Sequence, residues 1–175
     1  GTVNLTSDGN HGMFVQKLNS LGILIWAKSF GNFRQADKSS LSLDGFGNIY
    51  TTGVFFATGD FDPNSGIVNL TSNGSQDVFV QKLNSSGNLV WVRSFGGSGS
   101  DISRSISVDG YGNVYTTGRF SGTVDLDPGS GILNLTAISS YGTFIQKLNS
   151  SGNLVWAKSI AITSDGYSIT SDGSG

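Results

Sequence analysis

The chain has 175 residues, 37% of them hydrophobic and 11% aromatic, enough for a packed interior, while only 13% are charged, about half the usual share of roughly 25%. A net charge of −2, with ten Lys and Arg scattered along the chain, leaves no cationic footprint for nucleic acid, and no apolar run approaches the roughly 20 residues that span a bilayer. Cysteine is absent, which excludes a disulfide framework and a thiolate zinc site.

In chain order, the first segment, "GTVNLTSDG", is a copy of a strand-like segment that returns twice further on. "QKLNSLGILIW" (Gln16 to Trp26) follows, and a closely related run occurs as "QKLNSSGNLVW" from Gln81 and again, letter for letter, from Gln146. Trp26, Trp91 and Trp156 therefore recur every 65 residues. A period of this length has to be read before anything else, because it makes the repeat the structural unit.

"SSLSLDGFGNIYTTGVF" (Ser39 to Phe55) predicts two strands around a "DGFGN" turn, and "ATGDFDPNSGIVNLTS" (Ala57 to Ser72) predicts a tight loop followed by a short strand at "IVNLT". "DVFVQKL" (Asp77 to Leu83) alternates Val78 and Val80 against Phe79 and Leu83. After "NSSGN", "LVWVRSF" is expected to place Leu89, Trp91 and Phe95 on one face and Val90 and Val92 on the other. Gly87, and Gly152 one unit later, supply the left-handed residue that closes the hairpin between these strands. The second unit repeats the series through "SRSISVD", "NVYTTGRF" and "SGTVDLDPGSGILNLTA", and "YSITSDGSG" at the C-terminal end restarts it.

Apolar residues on both faces of several strands predict sheets covered on both sides, and no window carries a helical period. The fold class is all-β: tandem antiparallel β-sheet repeats of 65 residues, like propeller blades, about 2.7 units in all. The units are a partial first one (1–30), a second (31–95), a third (96–160) and the start of a fourth (161–175), in one continuous repeat domain. The chain begins at Gly1, and we read it as a piece of a longer protein.

The residues Phe79, Lys82, Leu83, Gly87, Asn88, Trp91, Gly96, Asp109, Gly112, Asn113, Tyr115 and Gly118, with most of their equivalents one unit away, resemble the bacterial β-propeller repeats called SBBP-type. That resemblance implies a propeller-like fold in a large secreted or cell-surface protein and no shared active site. Closed propellers usually need some 4–8 blades, so the units form an open array, belong to a longer propeller, or are completed by neighbouring chains.

Chemistry is sparse. Asp60 and Asp62, and Asp125 and Asp127, set paired carboxylates at alternate positions, hard oxygen donors of the kind Ca²⁺ takes. Pro63 or Pro128 lies inside each loop and no closing glutamate follows, so an Asp-capped proline turn is the preferred reading and calcium the one candidate cofactor. Asp44, Asp109 and Asp172 precede "G-x-G" turns and read as turn caps. "GGSGS" (Gly96 to Ser100) lacks the Lys-Ser/Thr and the helix of a phosphate loop. Six N-x-S/T triplets occur; Asn4, Asn69 and Asn134 share one repeat position and are the candidate glycan acceptors.

Trp26, Trp91 and Trp156, with Phe14, Phe79 and Phe144, are expected as core layers, since each repeat must bury the same positions. His11, Phe33 and Arg34 stand out as unmatched between units. With one histidine and no cysteine the familiar nucleophile–base pairs cannot be assembled, so the chain reads as no enzyme. The leading expectation is an extracellular or cell-surface structural protein, a scaffold or filament subunit that self-associates through unpaired sheet edges. The second is a propeller segment that binds a glycan or a surface protein through its loops.

Overall fold

The computed structural model describes residues 4–5, 11–33, 36–160 and 164–172. It is all-β, with no helix among the described residues. The strands are β1 (His11–Leu18), β2 (Leu24–Phe33), β3 (Ala36–Leu43), β4 (Ile49–Phe55), β5 (Thr58–Asp60), β6 (Asn69–Thr71), β7 (Asp77–Leu83), β8 (Leu89–Gly97), β9 (Ile102–Val108), β10 (Val114–Phe120), β11 (Thr123–Asp125), β12 (Asn134–Thr136), β13 (Gly142–Leu148) and β14 (Leu154–Ile160).

Each complete unit is a four-stranded antiparallel meander. The second unit runs β3-β4-β7-β8 and the third β9-β10-β13-β14, with a short hairpin, β5–β6 or β11–β12, inserted between the second and third strands. The "DxDP" stretches begin on the last residue of the outgoing arm, Asp60 or Asp125, and otherwise form the loop expected of them. The insert of the third unit does not stay with its own sheet. Val124 and Asp125 of β11 pair with Gly97 and Gly96 of β8, which extends the sheet of the second unit to six strands. This pairing covers the outer edge of β8, the kind of edge that otherwise recruits another chain.

Two cores form, one at each junction between units. Tyr50, Val78, Val80, Trp91 and Phe95 of the second unit meet Ile106, Val114, Phe120, Phe144 and Leu148 of the third. On the opposite face Phe55, Phe61, Phe79, Leu83 and Val92 meet Val15 and Phe30 of the first. Both faces of the middle sheet are therefore buried, as the two-sided apolar pattern predicts. Phe61 lies between Asp60 and Asp62, with its ring centroid 5.3 Å from that of Phe55 and 5.0 Å from that of Phe79. Burying one such side chain stabilises the fold by roughly 1.5–3 kcal/mol, so the insert is anchored by its apolar residue and its carboxylates stay at the rim.

The structure departs from the expected pattern in three places. Leu89 does not share a face with Trp91: the β7–β8 register runs from Lys82 opposite Trp91 directly to Leu83 opposite Leu89. That shift leaves Val90 exposed and turns Leu89 toward the Phe79 and Leu83 cluster. Phe14 is 63% exposed although its equivalents Phe79 and Phe144 are fully buried. The face that carries it is covered, in the later units, by the preceding sheet, and no described residue covers it in the first. Trp156 is likewise 36% exposed where Trp91 is 8%, because among the described residues only segment 164–172 reaches its side of the third unit. That segment follows β9, with Ile169 N–H donating to Ser105 Oγ at 3.2 Å and Ser171 N–H to Ser107 Oγ at 3.0 Å. The N-terminal copy of the inserted segment lies mostly outside the described residues.

Candidate functional site

The most elaborate constellation is the contact between one unit's tryptophan and the next unit's "NSSGN" turn. Asn149 builds that turn: its Oδ1 accepts the amides of Ser151 and Asn153, both at 3.0 Å. The turn then exposes three consecutive carbonyls to β8. Trp91 Nε1 donates to Ser150 O at 3.0 Å, Arg93 Nε to Gly152 O at 3.2 Å and Arg93 Nη2 to Ser151 O at 3.3 Å. Gly152 has φ of +78° and would bring a Cβ within 3.0 Å of Trp91 Cδ2. Glycine is required there twice, once for the backbone and once for the indole.

The junction before it uses the same positions less completely. Gly87, at φ of +79°, sits against Trp26 and Lys28, and Lys17 Nζ donates to Ser85 O at 3.1 Å. Lys28 stands at the position of Arg93 and points instead to Asn64 Oδ1 at 2.7 Å, while Trp26 Nε1 is buried without a hydrogen-bond partner. Around each Trp the packing repeats. Tyr50 meets Trp91 edge-on with centroids 6.2 Å apart, and Tyr115 meets Trp156 at 6.3 Å.

Asp44 and Asp109 are structural hubs. Asp109 Oδ1 accepts the amides of Tyr111 and Asn113, and its Oδ2 accepts Asn113 Nδ2 at 2.7 Å and the Tyr115 hydroxyl at 3.2 Å. Asp44 makes the same four bonds to Phe46, Asn48 and Tyr50. Burial by itself raises the pKa of both carboxyls, but these donors outweigh it and hold them below the ordinary value.

The carboxylates of the inserts are occupied in the same manner. Asp60 Oδ1 accepts the amides of Asp62 and Val68, and Asp125 Oδ1 those of Asp127 and Leu133. Asp62 and Asp127 cap Asn64 and Gly129. Among the described residues no three His, Cys, Asp or Glu side chains gather as a metal site. Asn69 and Asn134 are exposed on β6 and β12, and Asn4 is exposed as well. Arg34 and the side chains of His11 and Phe33 lie outside the described residues.

Sequence reasoning passed over two buried glutamines. Gln81 Nε2 donates to Phe61 O at 2.6 Å and its Oε1 accepts from Thr51 Oγ1, while Gln146 does the same with Leu126 O at 2.8 Å and Thr116. Each pins the insert to its own sheet, and the recurrence of Gln at a fixed repeat position was the available signal. Unlike these, Asp77 is not repeated, since its counterparts are Gly12 and Gly142. It is 1% exposed, accepts the Asn73 amide at 2.9 Å through Oδ2, and has no partner for Oδ1. Burial pushes its pKa up to about 6, against the lowering bond from Asn73 and with the charge of Asp101 adding to the rise. Asp101 is fully buried and also raised by burial, although it accepts the amides of Gly97 and Ser121.

Residues 90–119 match the family model described as "SBBP: Beta-propeller repeat". Over 112 residues the chain is 26% identical to the "Uncharacterized WD repeat-containing protein L264" of Acanthamoeba polyphaga mimivirus, an alignment that covers 56% of this chain and 8% of that protein. Both similarities are to repeat proteins, in keeping with the tandem sheets described above. The chain spans less than a tenth of its relative's length.

Two outcomes follow from this geometry. Gly22→Ala, with nothing within 4 Å of the new Cβ, carries only the left-handed backbone penalty of roughly 1–2 kcal/mol, whereas Gly152→Ala must also displace Trp91 and costs roughly 1–3 kcal/mol more. Denaturant unfolding of the two variants measures the difference, and equal losses contradict the contact. Because the Asp77 carboxyl titrates near 6 when folded and near 3.8 when not, the folded state binds more protons between these values. Its contribution to stability falls as pH rises through that window. Asp77→Asn therefore gains up to about 3 kcal/mol over the parent at about pH 7 and little at about pH 4. Melting curves at the two pH values check this, and parallel pH profiles for both proteins contradict it.

Proposed function

We propose that the chain is a non-catalytic repeat scaffold of an extracellular or cell-surface protein, whose working surfaces are the sheet faces that dock one 65-residue unit onto the next. The observation that carries this reading is the recurrence of one interface, Trp against the "NSSGN" turn, at both junctions. The two outermost faces have the composition of its two halves. Phe14 and Leu18 are exposed where Phe79 and Leu83 are buried, and Trp156 and Ile160 are exposed where Trp91 and Phe95 are buried. A further unit of the same repeat fits either face, and a second copy of this chain supplies one by head-to-tail association. Edges support this reading as well as faces: β11 occupies the outer edge of β8, while the equivalent strand β14 ends its sheet among the described residues and offers a further unit the same edge. The location rests on the SBBP-type resemblance, and the word "WD repeat" in the viral relative's name fits an interaction scaffold.

Sedimentation of the purified chain up to about 1 mM is expected to show mass increasing stepwise with concentration. Phe14→Glu and Trp156→Glu each leave one competent face, so each variant alone stays monomeric and an equimolar mixture stops at a dimer. A parent chain that is monomeric throughout, or a mixture that remains monomeric, overturns the head-to-tail reading.

A further inference from the structure

A binding site requires residues that break the repeat, and the junction between the third unit and segment 164–172 gathers four of them, Arg104, Arg119, Tyr141 and Tyr167, around Asp165. Arg104 of β9 and Arg119 of β10 converge on Asp165. Arg104 Nε donates to Asp165 Oδ2 at 2.9 Å with Arg104 Nη2 on the same oxygen, and Arg119 Nη1 lies 3.5 Å from Oδ1. Tyr167 and Tyr141 flank the pair, with the Arg104 guanidinium 5.5 Å from the ring centroid of Tyr167 and that of Arg119 4.5 Å from Tyr141. One unit earlier the counterparts of Arg104, Arg119 and Tyr141 are Ser39, Val54 and Gln76. There Val54 is buried, and Asp101, the counterpart of Asp165, caps the amides of Gly97 and Ser121. The later junction has exchanged a closed backbone cap for an open, charged cleft of about 330 Å³, lined by Arg119, Tyr141, Ser164, Asp165 and Tyr167.

The charge in this cleft is not balanced. Two guanidiniums face one carboxylate, whose side chain is only 7% exposed. Arg119 makes just the longer of the two ion pairs, and its Nε is buried with no hydrogen-bond partner. A buried donor left in that state costs on the order of 1–3 kcal/mol, and the rest of the guanidinium side chain, 26% exposed, is held at the cleft with donors to spare for an anionic acceptor. The planar fork of Arg matches a carboxylate with two parallel bonds. Tyr141 and Tyr167 are both exposed, and each adds a flat apolar surface and a hydroxyl at the mouth, the combination on which a sugar ring stacks and hydrogen-bonds. The volume suits one ring, and the polar lining gives an apolar side chain nothing to fill.

We infer that this cleft is a binding site for a carboxylated sugar, with Arg119 holding the carboxylate and Tyr141 and Tyr167 flanking the ring. None of these residues lies on the Phe14 face, so the Phe14→Glu variant, monomeric on the head-to-tail reading, keeps the cleft intact for the titration.

The test is titration of the intact chain, followed by amide chemical shifts and calorimetry, with D-glucuronate, its methyl ester, D-glucose and acetate. Glucuronate is expected to bind with Kd of roughly 1 mM and to shift amides around Arg119, Tyr141 and Tyr167. The methyl ester keeps the ring and loses the charge, so it binds roughly tenfold more weakly or worse, as does glucuronate to Arg119→Gln. Tyr141→Ala, at an exposed position, weakens binding as well and keeps the test readable if Arg119→Gln does not fold. No binding up to about 50 mM, or equal affinity for glucuronate and glucose, overturns the site. Acetate binding as tightly as glucuronate overturns the assignment to a sugar.

Discussion

The fold depends on one constraint: a four-stranded sheet with apolar side chains on both faces cannot bury either of them by itself. Every unit needs a neighbour on each side, and the neighbour has to arrive in a fixed register. The contact between Trp91 and the turn at Gly152 supplies that register, because three donors on β8 find three successive carbonyls in one direction only. Hydrophobic burial drives the stacking and is indifferent to small slides. The directional bonds select among the slides that burial alone permits. The insert adds a second, independent tie, since β11 extends the sheet of the unit before it while Gln146 keeps the base of the insert on its own.

Stability is consequently uneven along the chain. The middle sheet is covered on both faces, the Trp91 indole is fully hydrogen-bonded, and its turn partners are in place. The first junction lacks an acceptor for Trp26 Nε1 and has Lys where the next has Arg, so it is the weaker copy of the same device. The raised carboxyls of Asp77 and Asp101 sit at the junction between the second and third units. They add a pH-dependent cost where the packing is otherwise best.

Much of this was legible in the residues. The 65-residue period, the β class, the two-sided burial and the turn role of Gly87 and Gly152 all follow from spacing and alternation. What could not be read has identifiable physical causes. A polar residue in a strand carries no sign of burial, and what buries Gln81 and Gln146 is a backbone carbonyl of the insert, which spacing does not show. The carboxylates of "DFD" drew attention to metal chemistry, while Phe61 between them is the residue that anchors the loop. Alternation placed Leu89 with Trp91, and a single register shift reversed it. Periodicity also assigns Phe14 and Trp156 to the core, because it does not reveal which copies lack a neighbour. Arg104, Arg119 and Tyr141 are the opposite case: their counterparts one unit earlier are Ser39, Val54 and Gln76, so the repeat pattern carries no signal for them.

A repeated tryptophan stabilises this fold only where the next unit's turn lies on it. Replacing Trp91 and Trp156 one at a time by Ala, and comparing the free energies of unfolding, tests it directly. Trp91→Ala is expected to lose roughly 3–5 kcal/mol, the range for a buried aromatic, and Trp156→Ala about 1 kcal/mol or less in the monomer. Equal losses at the two positions would contradict it, since stability would then reside within each sheet and not between them.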